Sequence, residues 1–455
     1  MKKTGPEVIV VGGGVAGLAA ATMLAEAGRR VLVLEARGQL GGRATAFVDR
    51  VTGELVDNGQ HVLFGCYRET FGMLRRIGAD ANVRVQPTLE VPYLDLQGRR
   101  SLMRCPTWPS PLHLLGGVLG WNALRWTERL QVLRVGRALL DARKTVARGE
   151  GVRSDGTVAD WLDRHGQTGR LREWLWEPLA VAALNQEPEE ASAAPFVTVL
   201  GHMFGSDPRA ASIALPVTPL HEMYALPAQR YIEGRGGEVR LNSLSRIRVQ
   251  GDRVVGVEVR GERIDTQAAI AAVPWFGLAS LFHGDVAPVA DIVSNASAMD
   301  AKAIVTVNLW YDRRVMDETF VGLPGRQMHW VFDKRQAFGE RASHLALVAS
   351  GADALVALDQ DALVSLAARE VAAALPGARD AVLLRGTVIR EKRATFSLAP
   401  GQPRRPGVRT PVSNLFLAGD WIDTGLPGTI ESAALSGHLA ARAVLGNRQS
   451  TFNNP

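Results

Sequence analysis

Gly12, Gly14 and Gly17 stand in G-x-G-x-x-G spacing within Gly12-Gly13-Gly14-Val15-Ala16-Gly17, and an acid, Glu35, follows further on. Glycines at these places let a backbone turn tightly, come close to a pyrophosphate and pack a helix against a sheet. A helix N-terminus directly behind them faces the negative charge. An acid about 20 residues on bonds ribose hydroxyls and repels a 2′-phosphate, so the chemistry indicated is recognition of a dinucleotide without that phosphate. Gly41-Gly42-Arg43 comes next, a further turn whose arginine would either reach the same pyrophosphate or lie on the surface. Val56-Asp57-Asn58-Gly59-Gln60-His61 then gathers a carboxylate and an imidazole within five positions of one another.

The elements that must position these groups can be read nearby. Glu7–Val11 is a short β-branched run ending in the glycine loop, Leu18–Ala27 reads as a helix closed by Gly28, and Val31–Leu34 reads as a second strand ending at Glu35. Near the other end, Asn414-Leu415-Phe416-Leu417-Ala418 is a buried-strand pattern running into Gly419-Asp420. Ile430–Gly437 is a small-residue helix of the kind that packs tightly on a flat ligand or another helix. A middle stretch, from Gly236 through Val239 and Val254–Val259 to Ala268–Pro274, reads as a strand meander.

Composition bounds the remainder. The 455 residues suggest two to three domains, and 46% hydrophobic with 22% charged residues describes a globular chain with a sizeable core. Basic residues exceed acidic ones by 52 to 46, a mild and diffuse excess that suits an anionic cofactor or membrane surface. No basic tail or aromatic-interleaved Lys/Arg cluster is present, so nucleic-acid binding is not expected. Cys66 and Cys105 form no CxxC or metal-like pair, which excludes a disulfide framework and fits two reduced thiols. Met1–Pro6 lacks the features of a signal peptide, and no run reaches the ~18–20 apolar residues of a membrane span. The chain is therefore expected in the cytoplasm, soluble or peripheral on the inner face of the cytoplasmic membrane. From Leu112 to Lys144 it is apolar, basic and Trp-bearing, and Trp108, Trp121, Trp126, Trp161, Trp174 and Trp176 cluster in this part of the sequence. That stretch is either a membrane-interface helix or an ordinary amphipathic helix of a substrate domain. The rings around Trp174–Asn185 would serve as core or as the wall of an oily pocket.

The glycine loop, Gly41-Gly42-Arg43 and the D-x-G segment together resemble the flavin amine oxidase and phytoene desaturase superfamily. The resemblance implies FAD as cofactor and an α/β fold: a Rossmann-like FAD-binding domain assembled from three chain segments, with an inserted α+β substrate domain. Residues 1–75, 215–275 and 406–448 would form the first, and 76–214 with 276–405 the second. It places Arg43 by the phosphates, Gly59 near the isoalloxazine ring, Val239 in the region covering the adenine, and Gly419 with Asp420 by the ribityl chain. Asp420 is otherwise a helix cap. Gly428, Thr429 and Ile430 would face the flavin N1–O2 side. Neither cysteine lies in this C-terminal segment, so the flavin is expected to be non-covalent.

Asp57–Tyr67, Trp176-Glu177-Pro178-Leu179, Ala182–Asn185 and Leu417–Trp421 with Thr424–Pro427 are similar to the narrower family of hydroxysqualene dehydroxylases of hopanoid synthesis. One departure is Asn185-Gln186-Glu187-Pro188, where Asn-Thr-Pro is the family pattern. The likeness implies reduction of a long isoprenoid allylic alcohol to squalene, with His61, Asp57 or Asp423 as the acid that helps the hydroxyl leave. A lone histidine such as His61 is more often a structural residue, and Asp57 more often a backbone-bonding turn residue. No second fingerprint for a nicotinamide cofactor follows, so the electron donor is unknown from the sequence. Two other readings stand beside this one: a phytoene-type carotenoid desaturase, and a non-catalytic prenyl-binding protein on a flavin fold. The intact glycine loop, Glu35, Arg43 and Asp420 argue against the last.

Overall fold

The computed structural model describes residues 5–335 and 343–446. Met1–Thr4 of the amino-terminal segment and residues 447–448 of the third expected cofactor-domain segment lie outside the described residues. Val8–Val11 and Val31–Leu34, each fully buried, form the centre of a parallel five-stranded sheet. The strand order is Glu238–Arg240, Val31–Leu34, Val8–Val11, Ala268–Ala271, Leu415–Leu417, so the strands come from distant parts of the chain. Runs this apolar suit a sheet covered on both faces. On one side the helix Val15–Glu26, rich in alanine and buried over most of its length, packs against the helix Ile430–Val444. A smaller sheet of Ser245–Gln250, Arg253–Val259, Glu262–Ile264 and Phe282–Gly284 adjoins this unit.

The second large sheet has seven strands in the order Leu383–Phe396, Ala301–Tyr311, Ser343–Ser350, Trp330–Asp333, Phe320–Gly322, Glu90–Leu94, Arg100–Arg104. In Ala301–Tyr311 side chains alternate between faces. Val305, Val307 and Leu309 join the core under the helix Gln360–Ala374. Ile304, Thr306, Asn308 and Trp310 point to the opposite face, where Ile304 packs on the core shared with the helices between Leu112 and Met203, Thr306 lies near Gly59 and Trp310 donates to Glu54. An aromatic group joins sheet and helices. Tyr93 lies 5.1 Å from Trp121 and 6.0 Å from both Trp174 and Trp330, ring centre to ring centre. Trp121, Trp174 and Trp176 are buried, which resolves the open choice for these rings in favour of core. Their indole N–H groups are matched where burial demands it: Trp121 donates to Ser101 Oγ and Trp176 to Gln167 Oε1.

The stretch Leu112–Lys144 is not one helix. It breaks into Leu112–Gly120, Trp126–Gln131 and Gly136–Ala147, with a 3₁₀ turn at Val132–Val135. Among the described residues no helix is long and apolar enough to cross a membrane.

Candidate functional site

The glycine loop has the geometry a diphosphate requires. Gly12 has φ +113°, and a Cβ there would fall 2.3 Å from Ala272 O. A Cβ on Gly17 would fall 1.9 Å from Gly12 O, so only glycine lets this helix sit so close to the loop. Gly14 is different: a Cβ on it would meet nothing nearer than Gly42 Cα at 3.9 Å. Room is therefore left beside the N-terminus of helix Val15–Glu26, whose first turn has no side-chain cap and no acid. An anion fits there on both counts.

Glu35 ends the second strand, nearly buried, with Oε2 accepting from Gly13 N–H at 2.7 Å and Oε1 from Arg37 N–H at 2.8 Å. Its carboxylate is thereby fixed at the edge of the glycine loop. The Gly41-Gly42-Arg43 turn is held from below by the buried Tyr224, whose hydroxyl lies 2.8 Å from Gly41 O and 2.9 Å from Ala44 O. Arg43 donates to Ala394 O, lies over the Trp275 ring and forms an ion pair with Asp420. Arg43 is thus neither a free surface arginine nor distant from the carboxyl-terminal segment. Asp420 is held in turn, its carbonyl accepting from Ser432 Oγ, while Gly419 N–H donates to Ser436 Oγ. Thr429 caps the helix Ile430–Val444 by accepting from Ser432 N–H. A Cβ on Gly428 would stand 3.2 Å from the Thr395 side chain and 3.3 Å from Phe396, a tight fit. Val239 lies on the edge strand, paired with Val33; Ile247, in the strand Ser245–Gln250 of the smaller sheet, is in the core, and Leu244 just before that strand is exposed.

A second polar group lies around Gly59, which has φ +83°. Asp57 is buried. Its Oδ1 accepts from Leu220 N–H at 2.9 Å and its Oδ2 from Lys334 Nζ at 2.8 Å, while Lys334 also donates to Gln60 Oε1. His61 has Nδ1 3.4 Å from Gly59 O; burial lowers its pKa and outweighs the opposing pull of Asp57, so the ring is neutral at neutral pH. Thr306 Oγ1, 3.6 Å from where a Cβ on Gly59 would stand, is buried without a hydrogen-bond partner. Asn308 Oδ1 contacts His344 Nε2 at 3.0 Å, but its Nδ2 is also unpartnered. His344 is stacked on Trp310, 4.3 Å between ring centres. Buried polar atoms are nearly always paired, so two orphans on one sheet face mark a place where a polar ligand atom fits. Asp423, by contrast, is about half exposed, 3.5 Å from Arg405 and accepting from Gly425 N–H. None of these contacts joins it to the Asp57 group.

The sequence reading did not single out Lys334, Tyr224, Thr306 or Asn308. For the last two the alternation of Thr306, Asn308 and Trp310 within an apolar strand was an available signal. Asn185 terminates the helix Glu177–Leu184 in a left-handed conformation (φ 53°), bonding Thr395 Oγ1 and accepting from Gly351 N–H. Gln186, at the departure from the family pattern, accepts from Leu398 N–H. This motif is a joint between helix layer and sheet. Burial pushes both Cys66 and Cys105 thiols up to about 12, so neither is a reactive thiolate.

The parallel sheet with its glycine loop and a second, mostly antiparallel sheet give an α/β fold, and, with the family match below, the protein is a flavin-dependent oxidoreductase. The chain belongs to the family of flavin containing amine oxidoreductases, whose model matches residues 15–445. Within it, the chain is 31% identical to a hydroxysqualene dehydroxylase of Rhodopseudomonas palustris, over 98% of this chain and 99% of that one. It is 28% identical to the hydroxysqualene dehydroxylase of Sinorhizobium fredii, over 96% and 98%. A 15-cis-phytoene desaturase from an Oncidium hybrid is 26% identical, over 96% of this chain and 78% of that protein. Among solved structures, an oxidoreductase from Methanosarcina mazei superposes with a TM-score of 0.73 at 17% identity, over 95% and 99% of the two chains. Cyclohexylamine oxidase from Brevibacterium oxydans gives 0.70 at 17%, over 97% and 99%. These two establish the fold.

Proposed function

We propose that this chain binds FAD without a covalent link and reduces hydroxysqualene to squalene, by reductive removal of an allylic hydroxyl, as a step in hopanoid synthesis. The observation that carries this reading is the full-length likeness to the Rhodopseudomonas palustris dehydroxylase. Gly12, Gly14 and Gly17 with the helix start hold the pyrophosphate, and Glu35 accepts the ribose hydroxyls. Arg43 shares its charge between Asp420 and the phosphates, and Gly419 with Asp420 meets the ribityl chain. Val239 borders the adenine, while Gly59, Gly428, Thr429 and Ile430 leave room for the ring system. The domain division expected from the sequence is part of the same proposal.

The bound flavin, when reduced, supplies a hydride to the allylic carbon. The protein must help the hydroxyl depart as water and keep bulk water from the cation left behind. His61, beside Gly59, would hydrogen-bond the leaving oxygen, and the proton that completes the water would come from solvent and pass through its imidazole. Asp57, with both oxygens committed, positions the segment. Asp423, half exposed and paired with Arg405, is assigned no proton. Thr306 Oγ1 and Asn308 Nδ2 are buried, unpartnered polar atoms on the sheet face near Gly59, available to the hydroxyl of an otherwise oily substrate.

The phytoene and zeta-carotene desaturase relatives favour a second reading, oxidative desaturation with the reverse electron flow. One experiment separates the two. The protein is first reduced chemically under anaerobic conditions and mixed with hydroxysqualene, following flavin absorbance and extracted lipid. Reoxidation with squalene appearing supports the dehydroxylase; no reoxidation by a flavin-loaded protein, with phytoene desaturated by the oxidised form, selects the other. Acid precipitation in the same preparation should leave FAD in the supernatant.

A further inference from the structure

The helical run from Trp126 to Ala147 buries one face, Val135, Leu139 and Ala142, where Gly136–Ala147 packs against the helix Ala193–Met203. Its other face ought to be polar. Instead Trp126, Leu130, Leu133, Arg137, Leu140 and Lys144 are all exposed, at intervals of four, three, four, three and four. That spacing lines up one stripe along the run. Trp126 is 62% and Leu133 52% exposed, values unusual for large apolar side chains on a helix already anchored by its opposite face. The helix Leu112–Gly120 contacts this run and extends the apolar surface: Leu112 is exposed, and the exposed Trp108 lies over Gly116.

Charge is concentrated in the same place. Between Cys105 and Arg148 there are seven Lys or Arg and two Asp or Glu, so this segment's net +5 nearly equals the +6 of the whole chain. Of the two acids, Glu128 is buried and bonded to Arg125, which leaves Asp141, beside Lys144. An exposed stripe of Trp and Leu flanked by Arg and Lys has the composition of a helix lying in a lipid headgroup layer. A second copy of this chain would bring like charge against like charge.

We propose that this stripe docks the enzyme on an anionic phospholipid bilayer, with Trp126, Leu130, Leu133 and Leu140 entering the interface and Arg137 and Lys144 meeting lipid phosphates. The proposal stands apart from the substrate reading and is tested without any turnover. Full-length protein is floated with phosphatidylcholine vesicles, with and without phosphatidylglycerol. Binding is expected with phosphatidylglycerol, weakening as salt is raised. Trp126→Ser with Leu133→Ser, and separately Arg137→Glu with Lys144→Glu, should each cut the bound fraction by more than about tenfold. Flavin content and circular dichroism should stay unchanged, since all four side chains are on the outside. No flotation by the wild-type protein, or flotation that neither double variant reduces, overturns the proposal. So does a wild-type dimer that the Trp126→Ser, Leu133→Ser variant converts to monomer without any vesicle binding.

Discussion

Lys334 and Asp57 meet with side chains only 3% and 4% exposed, so the pair is one of charges withdrawn from water together. Removing one partner of such a pair strands the other, at a cost of about 3–5 kcal/mol, whereas replacing both is far milder. Lys334→Met is therefore expected to lower stability by about 3–5 kcal/mol in urea unfolding, and Asp57→Asn in the same chain to recover most of the loss. The asparagine can still accept from Leu220 N–H, which Asp57 Oδ1 holds now. A loss below about 1 kcal/mol for Lys334→Met would mean the pair behaves as an exposed one. This pair also shows why the site was only partly legible. Gly12, Gly14, Gly17 and Glu35 report their purpose by local spacing, because a turn and a helix start are built by neighbours in sequence. Lys334 reaches a partner 277 positions away, and a lysine at a strand end is ordinarily a solvated one.

At the scale of elements, the contact between helices Val15–Glu26 and Ile430–Val444 depends on Gly437, where a Cβ would fall 2.2 Å from Ala16 O. A backbone atom cannot move aside as a side-chain tip can. Gly437→Ala should therefore cost about 1–3 kcal/mol and reduce flavin occupancy, since the glycine loop and Thr429 sit at the starts of the two displaced helices. Gly72, in the helix Arg68–Arg76, has open space around its Cβ position, and Gly72→Ala should be neutral or gain about 0.5–1 kcal/mol. Thermal unfolding of both variants, with the flavin-to-protein absorbance ratio, checks the pair; equal behaviour would remove the close-contact argument. The small-residue pattern of Ile430–Gly437 signalled close packing, but left open whether a helix or a flat ligand was the neighbour. The seven-stranded sheet was not legible, because Glu90–Leu94 and Arg100–Arg104 join strands more than two hundred residues later. Periodicity describes a strand's faces and carries no information on its partners.

Over the whole molecule, burial acts on histidines in a common direction. His61, His113, His202, His329 and His438 all have pKa values lowered by burial, His202 to about 4. A lowered folded-state value means the unfolded chain binds the proton more tightly. The stability these groups contribute is then full above the ordinary value of about 6.5 and is lost as pH falls below it toward the folded value. Glu431 and Glu187, raised by burial, work in the opposite sense, and Asp49 holds its contribution down to about 2 through Arg385 and two backbone N–H groups despite its own burial. With the histidine effect led by His202, whose value falls to about 4, the melting temperature should fall between about pH 6.5 and pH 4, before the carboxylates paired with arginine are neutralised. His202 lies near the end of Ala193–Met203 with Arg68 adding to the effect of burial, and it is not among the groups assigned to cofactor or substrate. His202→Gln should therefore flatten the decline in that interval while leaving the melting temperature above about pH 7 nearly unchanged. A melting temperature that holds level from neutrality to about pH 4, in the parent chain, would show that these rings reach water in the folded state and are not buried neutral.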